Sequence, residues 1–252
     1  MKCASDGIGA SRGTGISSMA MDYTTIQWFH TMDLGNGIVT PGRDNTPHKL
    51  LRLHLPERLD GKTVLDIGAW DGAFSFECER RGASRVLATD WYCWSGPGWG
   101  TKAGFDFAHR TLRSRVEAVE VDVLSIDPAR IGQFDVVLFL GVLYHMRHPL
   151  LALERAAACC RDLLVIDTET CHPWTVRPVV RYYLDTDNWC APNLKWLHIA
   201  LRDLGFSRIR IAWRTVGPVR LARAIRRWLM WDKARLWSEI GRGRAVVHAY
   251  RD

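Results

Sequence analysis

VLDIGAWDGAFSF, residues 64–76, decides the fold. A short apolar run reaches Asp66, turns at Gly68 and leads through Gly72 into residues that suit a helix. This is the outline of the strand–turn–helix that begins a nucleotide-binding βαβ unit. A dinucleotide site needs a second glycine two residues after the first, so that backbone amides can approach a pyrophosphate. Here that position holds Trp70. NAD and FAD are therefore poor candidates, and a ligand without a diphosphate is expected.

Outward from this turn, the chain alternates strand and helix signals. Strands are expected near 63–67, 85–89, 116–121, 134–140 and 162–167, with helices near 73–81, 104–113 and 149–160. Short apolar runs joined by helices indicate parallel βαβ units with ligands at the carboxyl ends of the strands. A helix beginning at Leu194, the run SRIRIAWR (207–214) and the run RAVVHAYR (244–251) complete the pattern. The expected fold is α/β: a doubly wound, Rossmann-like sheet of seven mostly parallel strands. Residues 1–22, rich in Gly and Ser, read as a disordered tail and residues 23–60 as a lid segment. Residues 61–252 form the ligand-binding domain, with a helical insertion over 214–243.

The 252 residues are 47% hydrophobic and 24% charged, values of an ordinary globular protein large enough to bury its own core. No stretch reaches the roughly 20 apolar residues of a membrane span, so no membrane partner is expected. Seven cysteines without framework spacing, two of them adjacent at Cys159 and Cys160, suit reduced thiols and a cytoplasmic location. The net charge of +7 permits an anionic partner without requiring one. No Cys-x-x-Cys pair exists and no metal site is expected; Asp167 and Glu169 are the remaining candidates for magnesium.

Four successive strand ends carry acids or glycines. Asp90 follows Gly68 by 22 residues, where ribose hydroxyls are read. Asp122 is placed to accept from an adenine amino group, with the Val123 amide beside it, and Leu140 and Gly141 lie beneath the ligand. Asp66 and Asp71 disfavour phosphate and suit a sulfonium with an α-amino group. S-adenosylmethionine (SAM) has this chemistry: ribose and adenine without phosphate.

On VLDIG, Asp90, GVLYH at 141–145 followed by His148-Pro149, and RAVV at 244–247, the chain resembles the class I SAM-dependent methyltransferases. Within them it is similar to the family of the bacterial tRNA wobble-uridine (carboxy)methyltransferase and its shorter relatives. WFHTMDLGNGIVTPG (28–42) and NWCAPN (188–193) match the shorter members. The resemblance implies cofactor contacts from Gly68, Asp90, Trp91, Asp122, Val123, Leu140 and Tyr144. It places Arg244 where the tRNA enzyme uses an arginine for its carboxylated cofactor. That enzyme also uses a lysine upstream of the first strand, and WFHTMD has none. Plain SAM and methyl transfer are the expectation.

Methyl transfer to a hydroxyl requires positioning and proton removal. His145, leaving a strand end, is the candidate base, or else a histidine holding the next loop; Tyr144 lines the cofactor or orients the acceptor. His30 on the lid, and His172 after the fifth strand, are candidates to reach the acceptor, against a reading as loop packing. Asn188, Trp189 and Asn193 form a polar-aromatic cluster that reads as a pocket wall or as a helix cap. The basic stretch from Arg220 reads as RNA binding, as a subunit contact that allows a homodimer, or as an amphipathic helix packing Leu221, Ile225, Trp228 and Leu229. Three functions stand open: methylation of a hydroxyl or amine on a small molecule such as a sugar or biosynthetic intermediate, tRNA wobble modification, and non-catalytic SAM binding.

Overall fold

The computed structural model describes residues 23–183, 187–230 and 241–252; the expected tail over 1–22 and the end of the basic stretch (231–240) lie outside the described residues. The parallel strands are β1 (Thr63–Ile67), β2 (Arg85–Asp90), β3 (Glu117–Glu120), β4 (Phe134–Leu140) and β5 (Cys160–Thr170). A two-stranded antiparallel ribbon follows, β6 (Val180–Tyr182) and β7 (Cys190–Pro192), and then β8 (Arg208–Arg214) and β9 (Gly243–Tyr250). Seven strands form one sheet in the order β3-β2-β1-β4-β5-β9-β8, with β9 antiparallel to both its neighbours. The doubly wound sheet expected from the sequence is present. The β6–β7 ribbon was not foreseen.

The helices are α1 (Thr46–Leu53), α2 (Ala73–Arg80), α3 (Ala103–Leu112), α4 (Pro128–Ile131), α5 (Pro149–Ala158), α6 (Leu194–Asp203) and α7 (Gly217–Met230). Alternation along β4 sorts the core into two layers. Val136 and Leu138 face Phe74, Phe76 and Phe105 of α2 and α3; Val137 and Phe139 face Leu153, Ala156 and Leu197 of α5 and α6. A sheet covered on both faces explains why β1 and β4 read as near-continuous apolar runs. The six described cysteines are buried free thiols. Among the described residues no helix is long and apolar enough to cross a membrane.

Helix α7 corrects one expectation. Its apolar stripe does not pack: Leu221, Ile225 and Leu229 are 49%, 43% and 69% exposed. The side chain of Trp228 lies outside the described residues.

Candidate active site

The bend after β1 is built on glycine at Gly68, where φ is +77° and a Cβ would lie 2.5 Å from Val142 Cγ2. Its amide and that of Ala69 donate to the Thr89 carbonyl (2.8 and 3.0 Å), so the turn is fixed to β2. Trp70 also adopts a left-handed backbone, φ +48°. For a non-glycine residue that costs on the order of 1–2 kcal/mol. Its backbone is held on both sides: the amide donates to Asp90 Oδ2 (2.9 Å), and the carbonyl accepts from Trp94 Nε1 (2.7 Å). The indole stacks on Phe29 at 4.4 Å between centroids and 7° between planes. The large side chain thus serves as a peg for the N-terminal segment.

Asp71 fastens the same segment. Its Oδ2 accepts from the amides of Phe29 (2.8 Å) and His30 (2.9 Å), and His30 Nδ1 lies 3.5 Å away. Both side chains are buried, and the His30 ring packs edge-on against Phe74. Asp66 is buried too, accepts from the Ser75 hydroxyl at 2.7 Å, and has its pKa pushed up to about 6 by desolvation. Two expectations change. Asp66 and Asp71 do not present open carboxylates to a sulfonium, because one is sealed under α2 and the other is buried beneath the lid with Oδ2 held by lid amides. His30 is buried at the lid's anchor point, as the loop-packing reading expects.

The next two strand ends remain closer to expectation. Asp90 accepts from Trp70 and Cys93 amides (2.9 and 3.0 Å), and burial raises its pKa. The Trp91 backbone also donates to it, and a carboxylate has about four acceptor directions, so acceptor capacity remains for a hydroxyl. Asp122 Oδ1 caps the Leu124 amide at 2.8 Å in the single helical turn Val123–Ser125. Trp91, 40% exposed, and Asp122 share a cavity of about 420 Å³ with Leu87, Val121 and Ile131. Glu117, Glu120 and Asp127 line the same cavity, whereas Gly68 and Asp90 lie outside its lining; the glycine bend and the Asp90 carboxylate have the chemistry to receive the ribose of an adenosyl ligand.

A charged cluster gathers at the end of β4. A Cβ built on Gly141 would lie 3.5 Å from Arg244 Nη2, 3.8 Å from Tyr144 Oη and 3.9 Å from Lys49 Nζ. Arg244 donates from Nε and Nη2 to both oxygens of Asp167 (2.7 and 2.8 Å), which holds its pKa above the usual guanidinium value. Lys49 is buried, 3.8 Å from Asp44 Oδ2 and 5.2 Å from the Phe74 ring centre; desolvation lowers its pKa. Burial raises that of Tyr144. Sequence reasoning found no upstream lysine in WFHTMD and overlooked this one, which arrives from α1. The signal was there: Thr46, Lys49 and Leu53, at i, i+3 and i+7, form the helix's buried stripe.

His145 sits in the short turn after β4, with Nδ1 2.5 Å from the Asp187 carbonyl and its ring 5.0 Å from Trp99. Desolvation lowers its pKa. The Trp189 amide donates to the Tyr144 carbonyl (2.8 Å), and Arg147 lies 4.0 Å over the Trp189 ring. Asn188 Nδ2 reaches Glu169 Oε1 at 3.4 Å, and Glu169 also pairs with Arg242 at 3.0 Å. Asn193, buried, caps α6: Oδ1 accepts from Trp196 (2.8 Å) and Val179 (3.2 Å), and Nδ2 donates to Arg177 (2.7 Å). Asn193 is both: its Oδ1 caps α6, and the residue lines the second cavity described below. His172, left-handed at φ +41°, packs edge-on against Trp174 and lines a second cavity at the end of β5.

Comparison with known proteins agrees with this geometry. A family model described as a methyltransferase domain matches residues 43–235. The chain is 30% identical over 160 residues to the tRNA U34 carboxymethyltransferase of Pseudomonas fluorescens (strain SBW25), covering 60% of this chain. It spans about half the length of the curated relatives it matches, 48% of that one. The fold matches the N-terminal domain of EvdMO1, solved in the presence of SAH and D-fucose, with TM-score 0.62, 19% identity, and 89% and 91% of the two chains covered. It also matches a Haemonchus contortus phosphoethanolamine N-methyltransferase 2 in complex with phosphomonomethylethanolamine and S-adenosylhomocysteine, with TM-score 0.57, 14% identity, and 86% and 55% covered. From the family match over residues 43–235, the chain belongs to the methyltransferase domain family.

Proposed function

We propose that the acceptor is a hydroxyl or amine of a small molecule, such as a sugar or a biosynthetic intermediate. The observation that carries this reading is the state of His145. The Asp187 carbonyl can only accept, so Nδ1 carries the proton and the Nε2 lone pair is left free. The lowered pKa keeps the ring neutral near pH 7. A neutral imidazole with a fixed tautomer is a general base for an acceptor proton. Trp99 lies beside it, with the Tyr92 ring 5.0 Å and the Trp70 ring 6.0 Å from Trp99, so aromatic faces flank the imidazole.

SAM, when bound, supplies a methyl group activated by a positive sulfur. In this reading Asp90 accepts from the ribose hydroxyls, Trp91 and Asp122 receive the adenine, and Gly68, Leu140 and Gly141 give the backbone close approach. Tyr144 orients the acceptor while His145 takes its proton. Incubation with methyl-labelled SAM and a panel of sugars and glycosides tests the proposal: label should move to an acceptor hydroxyl or amine and the transfer should be lost in His145→Ala. Transfer to bulk tRNA alone would overturn it.

One observation favours a second reading, carboxymethyl transfer to a tRNA wobble base. Lys49, Arg244 and Tyr144 converge at Gly141, and that group has the chemistry to hold a carboxylate on the transferred carbon. Tighter binding of carboxy-SAM than of SAM, abolished by Lys49→Met, would establish that reading over the first.

A further inference from the structure

The second cavity, about 310 Å³, lies at the far end of the carboxyl edge of the sheet, outside the groups assigned above to cofactor and proton transfer. Its walls come from the end of β5 (Thr170, with His172 just beyond), the start of α6 (Leu194, Lys195), the end of β8 (Arg214) and the start of α7 (Gly217). Among the described residues no Asp or Glu lines it. Lys195 and Arg214 are exposed, and neither makes an ion pair among the described residues.

Two features give this cavity a built interior. The ten-residue helix α6 and the fourteen-residue helix α7 both begin on it. The Leu194 and Lys195 amides, in the first turn of α6, have no intrahelical carbonyl to reach, and both termini carry partial positive charge. Independently, the Thr170 side chain is buried, 2% exposed, and its Oγ1 has no hydrogen-bond partner. The direction of that hydroxyl follows from strand alternation. Asp167 and Glu169 reach Arg244 and Arg242 on one face of β5, so Thr168 and Thr170 face the α6 side, where the cavity lies. A buried hydroxyl without a partner costs about 1–3 kcal/mol unless a ligand or water satisfies it.

We propose that this cavity binds an oxyanion, a phosphate or carboxylate carried by the acceptor. The proposal rests on the small-acceptor reading of the site and narrows it to acidic acceptors. Thr170 Oγ1 donates to one oxygen, the amides at the start of α6 to another, and Lys195 and Arg214 close over the charge. Cations at the rim and donors at the floor are the usual division of labour in anion recognition.

The test is amide nitrogen-15 spectroscopy of the full chain with inorganic phosphate as probe, at ionic strength held constant with chloride. Saturable shifts are expected at Leu194, Lys195 and Gly217. Thr170→Val should weaken binding about tenfold without loss of thermal stability, because the hydroxyl has no internal partner to lose. Lys195→Gln with Arg214→Gln should abolish saturation. Shifts that rise linearly as with chloride, or unchanged affinity in Thr170→Val, overturn the proposal. Displacement of phosphate by a hexose phosphate supports it; displacement by transfer RNA and not by the hexose phosphate assigns the cavity to a nucleic-acid backbone and overturns it. SAM affinity, measured by calorimetry on the same variants, should not change. Failure of the phosphate arm with SAM binding intact therefore leaves the methyl-transfer reading standing.

Discussion

The two halves of the carboxyl edge are built differently. On the β1–β3 side each buried carboxylate already has donors within the chain: Ser75 for Asp66, two lid amides for Asp71, and the Trp70 and Cys93 amides for Asp90. On the β5–β8 side the Thr168 and Thr170 hydroxyls have none, a cavity opens between two helix starts, and α7 leaves its apolar stripe to solvent. The first half is preorganised for a ligand of fixed shape. Unpartnered polar atoms remain on both sides, but on the first (His30 Nδ1, Trp70 Nε1, Asp71 Oδ1) they lie under the lid, and on the second Thr170 lines a cavity.

This contrast can be broken in four places. The largest effect is expected at His145. His145→Ala should lower turnover by about 10²–10⁴ while SAM affinity, read by calorimetry, stays near wild type. In the unchanged protein, turnover should fall as pH drops through a midpoint below the ordinary imidazole value of 6.5, since protonation removes the base. A midpoint above that value would remove His145 from the role. Next, Asp90→Ala should weaken SAM binding about a hundredfold, because it deletes the ribose acceptor and strands two buried amides. An effect no larger than that of His145→Ala on cofactor affinity would show that the β2 end is not the preorganised part.

The lid comes third. Phe29→Ala should cost about 2 kcal/mol in denaturant unfolding, and a double-mutant cycle with Trp70→Ala should show coupling of about 0.5–1.5 kcal/mol. Additivity would mean that the stacked rings do not hold the segment down. The smallest effect belongs to α7: Ile225→Gln should change stability by no more than about 0.5 kcal/mol, against about 2–5 kcal/mol for Leu201→Ala on the packed face of α6. A large loss at Ile225 would show that the stripe is covered in solution.

Most of the sheet was legible because parallel strands buried on both faces leave long apolar runs, as in FDVVLFL of β4. The β6–β7 ribbon was not, since three-residue strands containing Pro192 carry no period to read. Within the site, strand-end positions such as Asp90 and Gly141 followed from the βαβ pattern. The direction of a side chain did not. Asp71 and His30 looked available to a ligand until the lid folded over them, and Lys49 went unnoticed although its side chain is buried. A polar residue's partner is set by tertiary approach: Asp71 meets residues about 40 positions away, which no local window contains.

One long-range tie has a further consequence. His248 Nε2 lies 2.8 Å from the Leu53 carbonyl, joining the end of α1 to β9. The two cations at Gly141, Lys49 and Arg244, therefore come from an early helix and a late strand. During synthesis the adenosine-facing turns can form while the chain is still being extruded, but the paired positive charges cannot assemble until β9 has cleared the ribosome. A nascent polypeptide stalled before that strand would carry the β1 and β2 turns without the Lys49–Arg244 pair at Gly141.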